Sequence, residues 1–382
     1  MNNNLKFSVI TPSYNQGLFL DRCINSVLEQ CYLNFEHIII DGNSTDQTKS
    51  VLLSHNHTIW KSETDNGQTD ALNKGLKMAE GDIIAWLNCD DMYCKNVFKI
   101  ISQWFQNNPK EKIVIGDCFF YYNDTSKNQI VKNYERNFED LLRYWDIWTP
   151  PTQPSIFFKK ELLDEFGLFD ESLHYAMDYE FWLRVSQKYK IRYIPELLSI
   201  YQFHDNSKSG TGTDWSKFYP EWHKSYLRYK KNSKKIPNSP LVTYVFLHHA
   251  KINIDFLEDI FDKLFSMRMQ DFEIMIISKN IDVKKTLTRH YDKSNINIFS
   301  TNSFTAKNIL QAILLNAKGL AYIFPEKNIE ENCRALCDGV TTMLNFDDIS
   351  QYEIKNNSGK IFTQSNNFLK HDVLYRKSRI YI

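Results

Sequence analysis

Two adjacent carboxylates, Asp90 and Asp91, follow a short apolar run at Ile83–Leu87. Such runs are typical of core strands in sheets that are covered on both faces. Two neighbouring carboxylates repel one another, but they suit Mg²⁺ or Mn²⁺, which take oxygen ligands and leave positions open for phosphate oxygens. The pattern predicts a strand end that presents a divalent metal to a diphosphate. The alternative is a polar loop in which one aspartate caps the next helix.

Composition indicates a folded protein with room for two or more domains, since 42% of its 382 residues are apolar and 14% are aromatic. The formal net charge of zero gives no overall attraction to nucleic acid or anionic lipid. The seven cysteines contain no CxxC pair, and we find neither a signal peptide nor an apolar run of about 18 residues. We therefore expect a reduced, cytoplasmic protein with no nucleic-acid partner.

The first 60 residues predict a parallel sheet. Strands are expected at Phe7–Thr11, Phe35–Ile40 and Thr58–Trp60, and helical apolar spacing between the first two predicts a right-handed crossover. Ligands bind beyond the carboxyl ends of such strands. Asp41 and Tyr14 should therefore lie on the same edge as the aspartate pair.

Polar motifs follow these strand ends in a fixed order. They are Thr11–Asn15 (TPSYN), Asp41–Asp46 (DGNSTD), Asp65–Gly75 (DNGQTDALNKG), Gly81–Asp82 and Asn88–Asp91 (NCDD). Together they resemble family 2 glycosyltransferases, inverting enzymes that use nucleotide sugars. The resemblance covers roughly residues 5 to 230. It implies an α/β fold of the GT-A type, a mostly parallel Rossmann-like sheet flanked by helices.

The resemblance also implies roles for the matching positions. The residues it places around the nucleotide sugar are Pro12, Tyr14, Asn15, Asp41, Asp65, Gly67, Asn73, Lys74, Asn88 and Asp90. Of these, Asp41 and Asp65 would accept hydrogen bonds from the base and ribose. Asn73 and Lys74 would lie near the diphosphate or the donor sugar.

The metal, Mn²⁺ or Mg²⁺, would be ligated by Asp91, Asp90 and His204. A lone histidine is more often structural, but His204 follows a predicted strand at Ile191–Tyr201, and its neutral imidazole could bind a metal. The family usually has an acid where this chain has Asn88, which leaves the last two carboxylates intact. Residues 207–213 would form a lid that orders over the donor.

Asp178 opens a predicted helix, where the simplest role for an aspartate is a cap. In the family this aspartate is the general base that takes the proton of the acceptor hydroxyl. Many relatives have Glu-Asp here, whereas this chain has Met177 before Asp178. Glu180 is the fallback, on another face of the helix.

Acceptor contacts are expected near strands at Phe119–Tyr122 and Ile130–Tyr134, and in the aromatic, proline-rich loop Trp145–Pro154. Rings in such a loop can stack on sugars, although ordinary packing is the commoner role. The basic stretch Lys230–Lys235 is interpreted as a solvated end, with a peripheral contact to the inner membrane as the alternative.

The predicted domains are a glycosyltransferase domain at 1–235, a linker at 236–240 and a second α/β domain at 241–382. Val242–Phe246 resembles the opening strand, Phe272–Asn280 aligns with Phe35–Asn43, and Leu320–Phe324 tracks the strand before the aspartate pair. We interpret this region as an incomplete repeat. It has Ser278, Ser303, Asn328 and Ile329 where the first domain has Asp41, Asp65, Asp90 and Asp91. It should be non-catalytic, unless it is an unrelated α/β domain.

The predicted function is the metal-dependent, inverting transfer of a sugar from a nucleoside-diphosphate sugar, in the simplest case a UDP-sugar. The acceptor would be a hydroxyl of a glycan or lipid-linked saccharide in bacterial polysaccharide synthesis. Oligomerisation is left open. One alternative is a non-catalytic nucleotide- or sugar-binding partner in a glycan assembly complex. A nucleotidyltransferase is a weaker alternative, because no Gly- and basic-rich loop follows the first strand.

Overall fold

A computed structural model describes residues 5–144, 151–205, 207–210 and 217–236, together with four later strands. The chain divides into two compact units, Met1–Tyr229 and Lys230–Ile382. Among the described helices, none combines the length and hydrophobicity needed to cross a bilayer.

The first unit is a nine-stranded mixed sheet flanked by helices. Its strands are β1 (Phe7–Ser13), β2 (Phe35–Asp41), β3 (Ile59–Ser62), β4 (Ile83–Trp86), β5 (Met92–Tyr93), β6 (Ile113–Tyr122), β7 (Gln129–Val131), β8 (Ile156–Lys159) and β9 (Arg192–Phe203). Its helices are α1 (Gly17–Leu28), α2 (Thr48–Ser54), α3 (Gln68–Met78), α4 (Val97–Asn107), α5 (Phe138–Leu142), α6 (Glu161–Phe166), α7 (Met177–Ser186) and α8 (Tyr219–Tyr229).

The strand order is β3-β2-β1-β4-β8-β6-β9-β5, and β7 pairs with β6. Strands β1 to β4 are mutually parallel, with Phe7 opposite both Phe35 and Ile83. Strand β8 is antiparallel to β4 and β6, whereas β6 and β9 are parallel. The predicted α/β sheet and its parallel first pair are confirmed. Because β1 to β4 run the same way, the loops after them meet at one edge.

Both faces of β1 are covered, which explains why its residues are all buried. On one face, Phe7 and Val9 share a core with Val27 of α1 and Phe98 of α4. On the other face, α3 packs so closely that a Cβ on Gly75 would lie 2.5 Å from Cγ2 of Ile10. The central strands are therefore held rigidly beneath the edge where the motifs lie.

The second unit contains β10 (Val242–His248), β11 (Phe272–Ser278), β12 (Ile296–Ser300) and β13 (Leu320–Phe324). They are parallel in the order β12-β11-β10-β13, the order that β3-β2-β1-β4 have in the first unit. This order agrees with the predicted incomplete repeat. Ser303, Asn328 and Ile329 lie outside the described residues.

Lys230, the first residue of the basic stretch, is buried. The expectation of a solvated end is therefore wrong at this residue. Lys231, Lys234 and Lys235 are exposed. Of the predicted linker, only Ile236 is described, and it is buried.

Candidate functional site

A cavity of about 800 Å³ lies at the carboxyl edge of β1 to β4. The sequence-predicted residues on its wall are Pro12, Tyr14, Asp65, Gly67, Asn88, Asp90 and Asp178. The predicted residues that do not line it are Asn15, Asp41, Asn73, Lys74, Asp91 and His204. Each residue of the second group makes contacts within the protein.

Asp41 is fully buried and supports its own turn. Its Oδ2 accepts the backbone N–H of Ser44 at 3.1 Å and the hydroxyl of Ser62 at 2.7 Å, and its Oδ1 accepts the hydroxyl of Ser44. These three donors engage the Asp41 carboxylate from within the protein. Its contact with the base or ribose stays a prediction.

Asn15 has the same kind of role. It adopts a left-handed backbone conformation with φ of 51°, and its Oδ1 accepts the N–H of Thr45 at 2.9 Å. Its own N–H donates to the hydroxyl of Ser44 at 2.7 Å. Asn15 thus connects the turn after β1 to the turn after β2 by hydrogen bonds and does not line the cavity. Tyr14, the residue before it, does line the cavity.

Asn73 and Lys74 also contact other parts of the protein, and their place near the diphosphate or the donor sugar stays a prediction. Asn73 is buried. Its side-chain amide donates to the Phe169 carbonyl at 3.0 Å and to Glu171 Oε1 at 2.9 Å. Its Oδ1 accepts the Phe169 N–H. Lys74 Nζ contacts Glu63 at 3.1 Å and Asp70 at 3.4 Å. Both side chains brace α3 against its neighbours.

A polar corner forms where Tyr14, Gly42 and Asp65 meet. A Cβ on Gly42 would lie 2.6 Å from Asp65 Oδ2 and 3.2 Å from a ring carbon of Tyr14, so glycine permits this approach. Asp65 Oδ1 accepts the N–H of Gly67, whose φ of 110° suits glycine. The other carboxylate oxygen is left for a ligand donor.

Asn88 both accepts hydrogen bonds and donates two that an ionised acid in its place could not donate. Its Oδ1 accepts Trp86 Nε1–H and the Gln68 amide, each at 2.8 Å. Its Nδ2 donates to Gln153 Oε1 at 3.1 Å and to Asp91 Oδ2 at 3.4 Å. The amide therefore bridges the two sides of the cavity beside the aspartate pair without adding a third negative charge.

The predicted three-ligand metal set is not assembled. Asp91 is buried, its Oδ1 accepts the Gln202 N–H at 3.2 Å, and burial and the charge of Asp90 raise its pKa. Asp90 Oδ2 lies 3.0 Å from Nε2 of His204. Within the described residues, no three Asp, Glu, His or Cys side chains form a group that could hold a metal.

The Asp90–His204 pair nevertheless fits a divalent cation. It offers one oxygen and one nitrogen donor, both of types that such ions accept. His204 packs against Phe19 with ring centroids 4.4 Å apart, and its buried Nδ1 has no hydrogen-bond partner. Two protein ligands leave the remaining positions for phosphate oxygens.

Asp178 lies on the cavity wall in the first turn of α7. Burial raises the pKa of Asp178 to about 6. The positive charge of Lys208 lowers this pKa, and the negative charge of Glu221 raises it. Glu180 points elsewhere: it is buried against Arg184 at 3.0 Å and Arg228 at 3.3 Å. The geometry thus favours Asp178 over Glu180 as a base.

Comparison with known proteins identifies the family. A family model described as glycosyl transferase family 2 matches residues 8–167. An uncharacterized glycosyltransferase of Rickettsia typhi is 31% identical over 236 residues, which are 58% of this chain and 71% of the relative. The chain belongs to glycosyltransferase family 2.

Two further similarities were found for this family 2 glycosyltransferase. The minor teichoic acid biosynthesis protein GgaB of Bacillus subtilis is 26% identical over 65% of this chain and 29% of its own length. A crystal structure of S. aureus TarS 1–349 in complex with UDP-GlcNAc has 19% identity and a TM-score of 0.49, and covers 61% of this chain and 68% of that one. Family membership supports a transferase over the non-catalytic binding protein.

Several residues of the glycosyltransferase's cavity had no individual role in the sequence analysis. They include Tyr175, Tyr201 and Trp182, while Gln153 was included only as part of the acceptor loop. Lys208 lay inside the predicted lid, and burial lowers the pKa of its ammonium to about 8. Trp145 and Trp148, proposed for stacking, lie outside the described residues, as do residues 211–213 of the predicted lid.

The role of Asp41 can be tested by stability. Asp41→Ala removes the acceptor of the Ser44 and Ser62 hydroxyls and of one backbone N–H. Each buried donor left unpaired costs about 1–3 kcal/mol. The free energy of unfolding in urea should fall accordingly. The control is Asp65→Ala, since within the described residues the Asp65 carboxylate accepts a single hydrogen bond, from the Gly67 N–H. Equal stability of the two variants would contradict the structural role.

Proposed function

We propose that the protein transfers a sugar from a nucleoside-diphosphate sugar, UDP-linked in the simplest case, to a hydroxyl of a glycan or lipid-linked saccharide, with inversion. The observation that carries this proposal is that one cavity has Asp90 and Asp178 on its wall. Asp178, which can act as a general base, and Asp90, which can bind a cation held by the diphosphate, thus face the same cavity.

The donor is assigned to the polar side of the cavity, where Tyr14, Asp65 and Gly67 lie. Asp65 can accept hydrogen bonds from hydroxyls or from N–H groups of a nucleotide. Asp90 and His204 would hold the divalent cation, which supplies positive charge that stabilises the departing diphosphate.

The acceptor is assigned to the aromatic side. Phe120 pairs with Tyr201, and Tyr122 with Phe203, across the parallel strands β6 and β9. The Tyr122 and Phe203 rings are stacked with centroids 4.5 Å apart and an interplanar angle of 3°. All four side chains line the cavity. Such rings suit the C–H face of a sugar, while polar groups nearby fix its orientation.

In this mechanism Asp178 takes the proton from the acceptor hydroxyl as that oxygen attacks the anomeric carbon. The new carbon–oxygen bond forms as the bond to the diphosphate oxygen breaks, and the nucleoside diphosphate leaves with the electron pair. Attack from the opposite face inverts the anomeric centre. A pKa of about 6 leaves Asp178 ionised, and therefore able to accept a proton, at neutral pH.

The test is a panel of UDP- and GDP-sugars with Mn²⁺ and aryl glycosides as acceptors. We expect release of one nucleoside diphosphate, loss of activity with EDTA, and a product whose anomeric configuration is opposite to the donor's by NMR. Retained configuration would overturn the inverting mechanism, and failure to bind any nucleotide would overturn the donor assignment. The peripheral membrane contact and an inactive second domain at 241–382 remain predictions.

A further inference from the structure

The backbone that leads into α7 is bound by a carboxylate from α8. Glu221 Oε2 accepts the N–H groups of Tyr175 at 2.7 Å, Ala176 at 2.8 Å and His174 at 3.0 Å. Its Oε1 also accepts the His174 N–H, at 2.9 Å. One side chain thus satisfies three successive backbone donors. Asp178 is the second residue after this segment.

The same segment is held from another side by Lys208. Its Nζ donates to the carbonyl oxygen of His174 at 2.6 Å, and it lies 5.7 Å from the ring centroid of Tyr175. Lys208 and Glu221 both belong to the part of the chain that follows β9. Residues 174–176 are therefore fixed by two opposite charges, one on their N–H groups and one on a carbonyl.

We propose that Glu221 is a positioning residue for sugar transfer, which fixes the entry of α7 and so the placement of Asp178 on the cavity wall. This inference rests on the proposed role of Asp178 as the base. A negative carboxylate suits the N-terminal end of a helix, where backbone N–H groups lack partners. Glutamine at this position would keep the length but lose the charge and one acceptor oxygen.

The charge of Glu221 also acts on Asp178. Among the described residues, the titratable groups that face Asp178 are Lys208, Glu221 and Tyr201, and His174 lies in the bound segment. Burial raises the pKa of Asp178 most, Lys208 lowers it, and Glu221 raises it. Removing the Glu221 charge should therefore lower the pKa of Asp178, because its ionised form loses a repulsive neighbour.

The test compares Glu221→Gln and Glu221→Ala with Lys224→Gln, an exposed change on the same helix. The pKa of Asp178 is measured by NMR titration of the full-length protein labelled with ¹³C-aspartate. The Asp178 signal is identified by its absence in Asp178→Asn. This measurement needs neither donor nor acceptor. We expect the pKa of Asp178 to fall in Glu221→Gln. With an active donor, kcat should fall roughly 10- to 100-fold at unchanged donor KM, since small misplacements of a catalytic group are costly.

Two results separate the possible failures. If Glu221→Gln leaves the Asp178 pKa and kcat equal to those of Lys224→Gln, the positioning role is overturned. If the pKa shifts as expected but Asp178→Asn still transfers sugar at the wild-type rate, the base assignment fails, and the catalytic role of Glu221 fails with it. Because Glu221→Gln keeps the side-chain length, it decides the matter even where Glu221→Ala does not fold.

Discussion

Replacing Asp178 by asparagine should lower the rate of sugar transfer by about 10²- to 10⁴-fold. The amide cannot take the proton of the acceptor hydroxyl, whereas donor binding does not need that step. Initial rates of nucleoside diphosphate release and the donor dissociation constant measure the two effects separately. The control is Asp164→Asn, an exposed residue of α6. A variant that keeps its rate would remove Asp178 from the mechanism.

The same substitution has an effect on stability that needs no substrate. The pKa of Asp178 is about 6 in the folded protein, against an ordinary value of 3.8. The folded state therefore binds this proton more tightly, and ionisation destabilises it as the pH rises through about 6. Asp178→Asn should melt higher than wild type at pH about 8. The difference should shrink as the pH falls from about 6 to about 4.

Replacing Asp90 by asparagine should weaken Mn²⁺-dependent nucleotide binding at least tenfold. Mutating a residue that only hydrogen-bonds to a metal ligand commonly lowers metal affinity by about 10- to 100-fold. Asp90 is proposed to be a ligand itself, so its loss should cost at least as much. Calorimetric titration of UDP with and without Mn²⁺ measures the effect, and EDTA should cause the same loss in wild type. Unchanged Mn²⁺ dependence in the variant would exclude Asp90 from the metal site.

The chain supplies a control for this experiment. His55 Nε2 lies 2.9 Å from Asp21 Oδ1, a separation close to that of the Asp90–His204 pair. Neither Asp21 nor His55 lines the cavity. Asp21→Asn should therefore leave Mn²⁺-dependent nucleotide binding unchanged. An equal loss in both variants would point to a general effect of removing an Asp–His pair.

The start of the sheet could be predicted because β1, β2 and β4 contain apolar runs. Phe35–Asp41 begins where the sequence placed it, and its parallel pairing with β1 followed from the helix between them. The shared edge followed from the direction of the strands. These features depend on local patterns, so one sequence was sufficient to predict them.

The hydrogen-bond partners of the motif side chains could not be predicted where they come from distant parts of the chain. Asp41 is held by Ser62, and Asn73 by Phe169 and Glu171, none of which is marked by local spacing. Glu221 was missed because its partners are backbone N–H groups some 45 residues away. A carboxylate in a motif predicts a need for donors, but the sequence does not show whether the donors belong to a ligand or to the protein.

The place of β8 between β4 and β6 has a consequence for synthesis of the chain. Strand β4 is entirely buried, and one of its edges pairs with Ile156–Lys159, more than 70 residues later. A nascent chain that stops before Ile156 therefore carries this apolar strand with an open edge, a template for pairing with other chains. Protection on the ribosome matters most during this interval, because non-local pairing is slow.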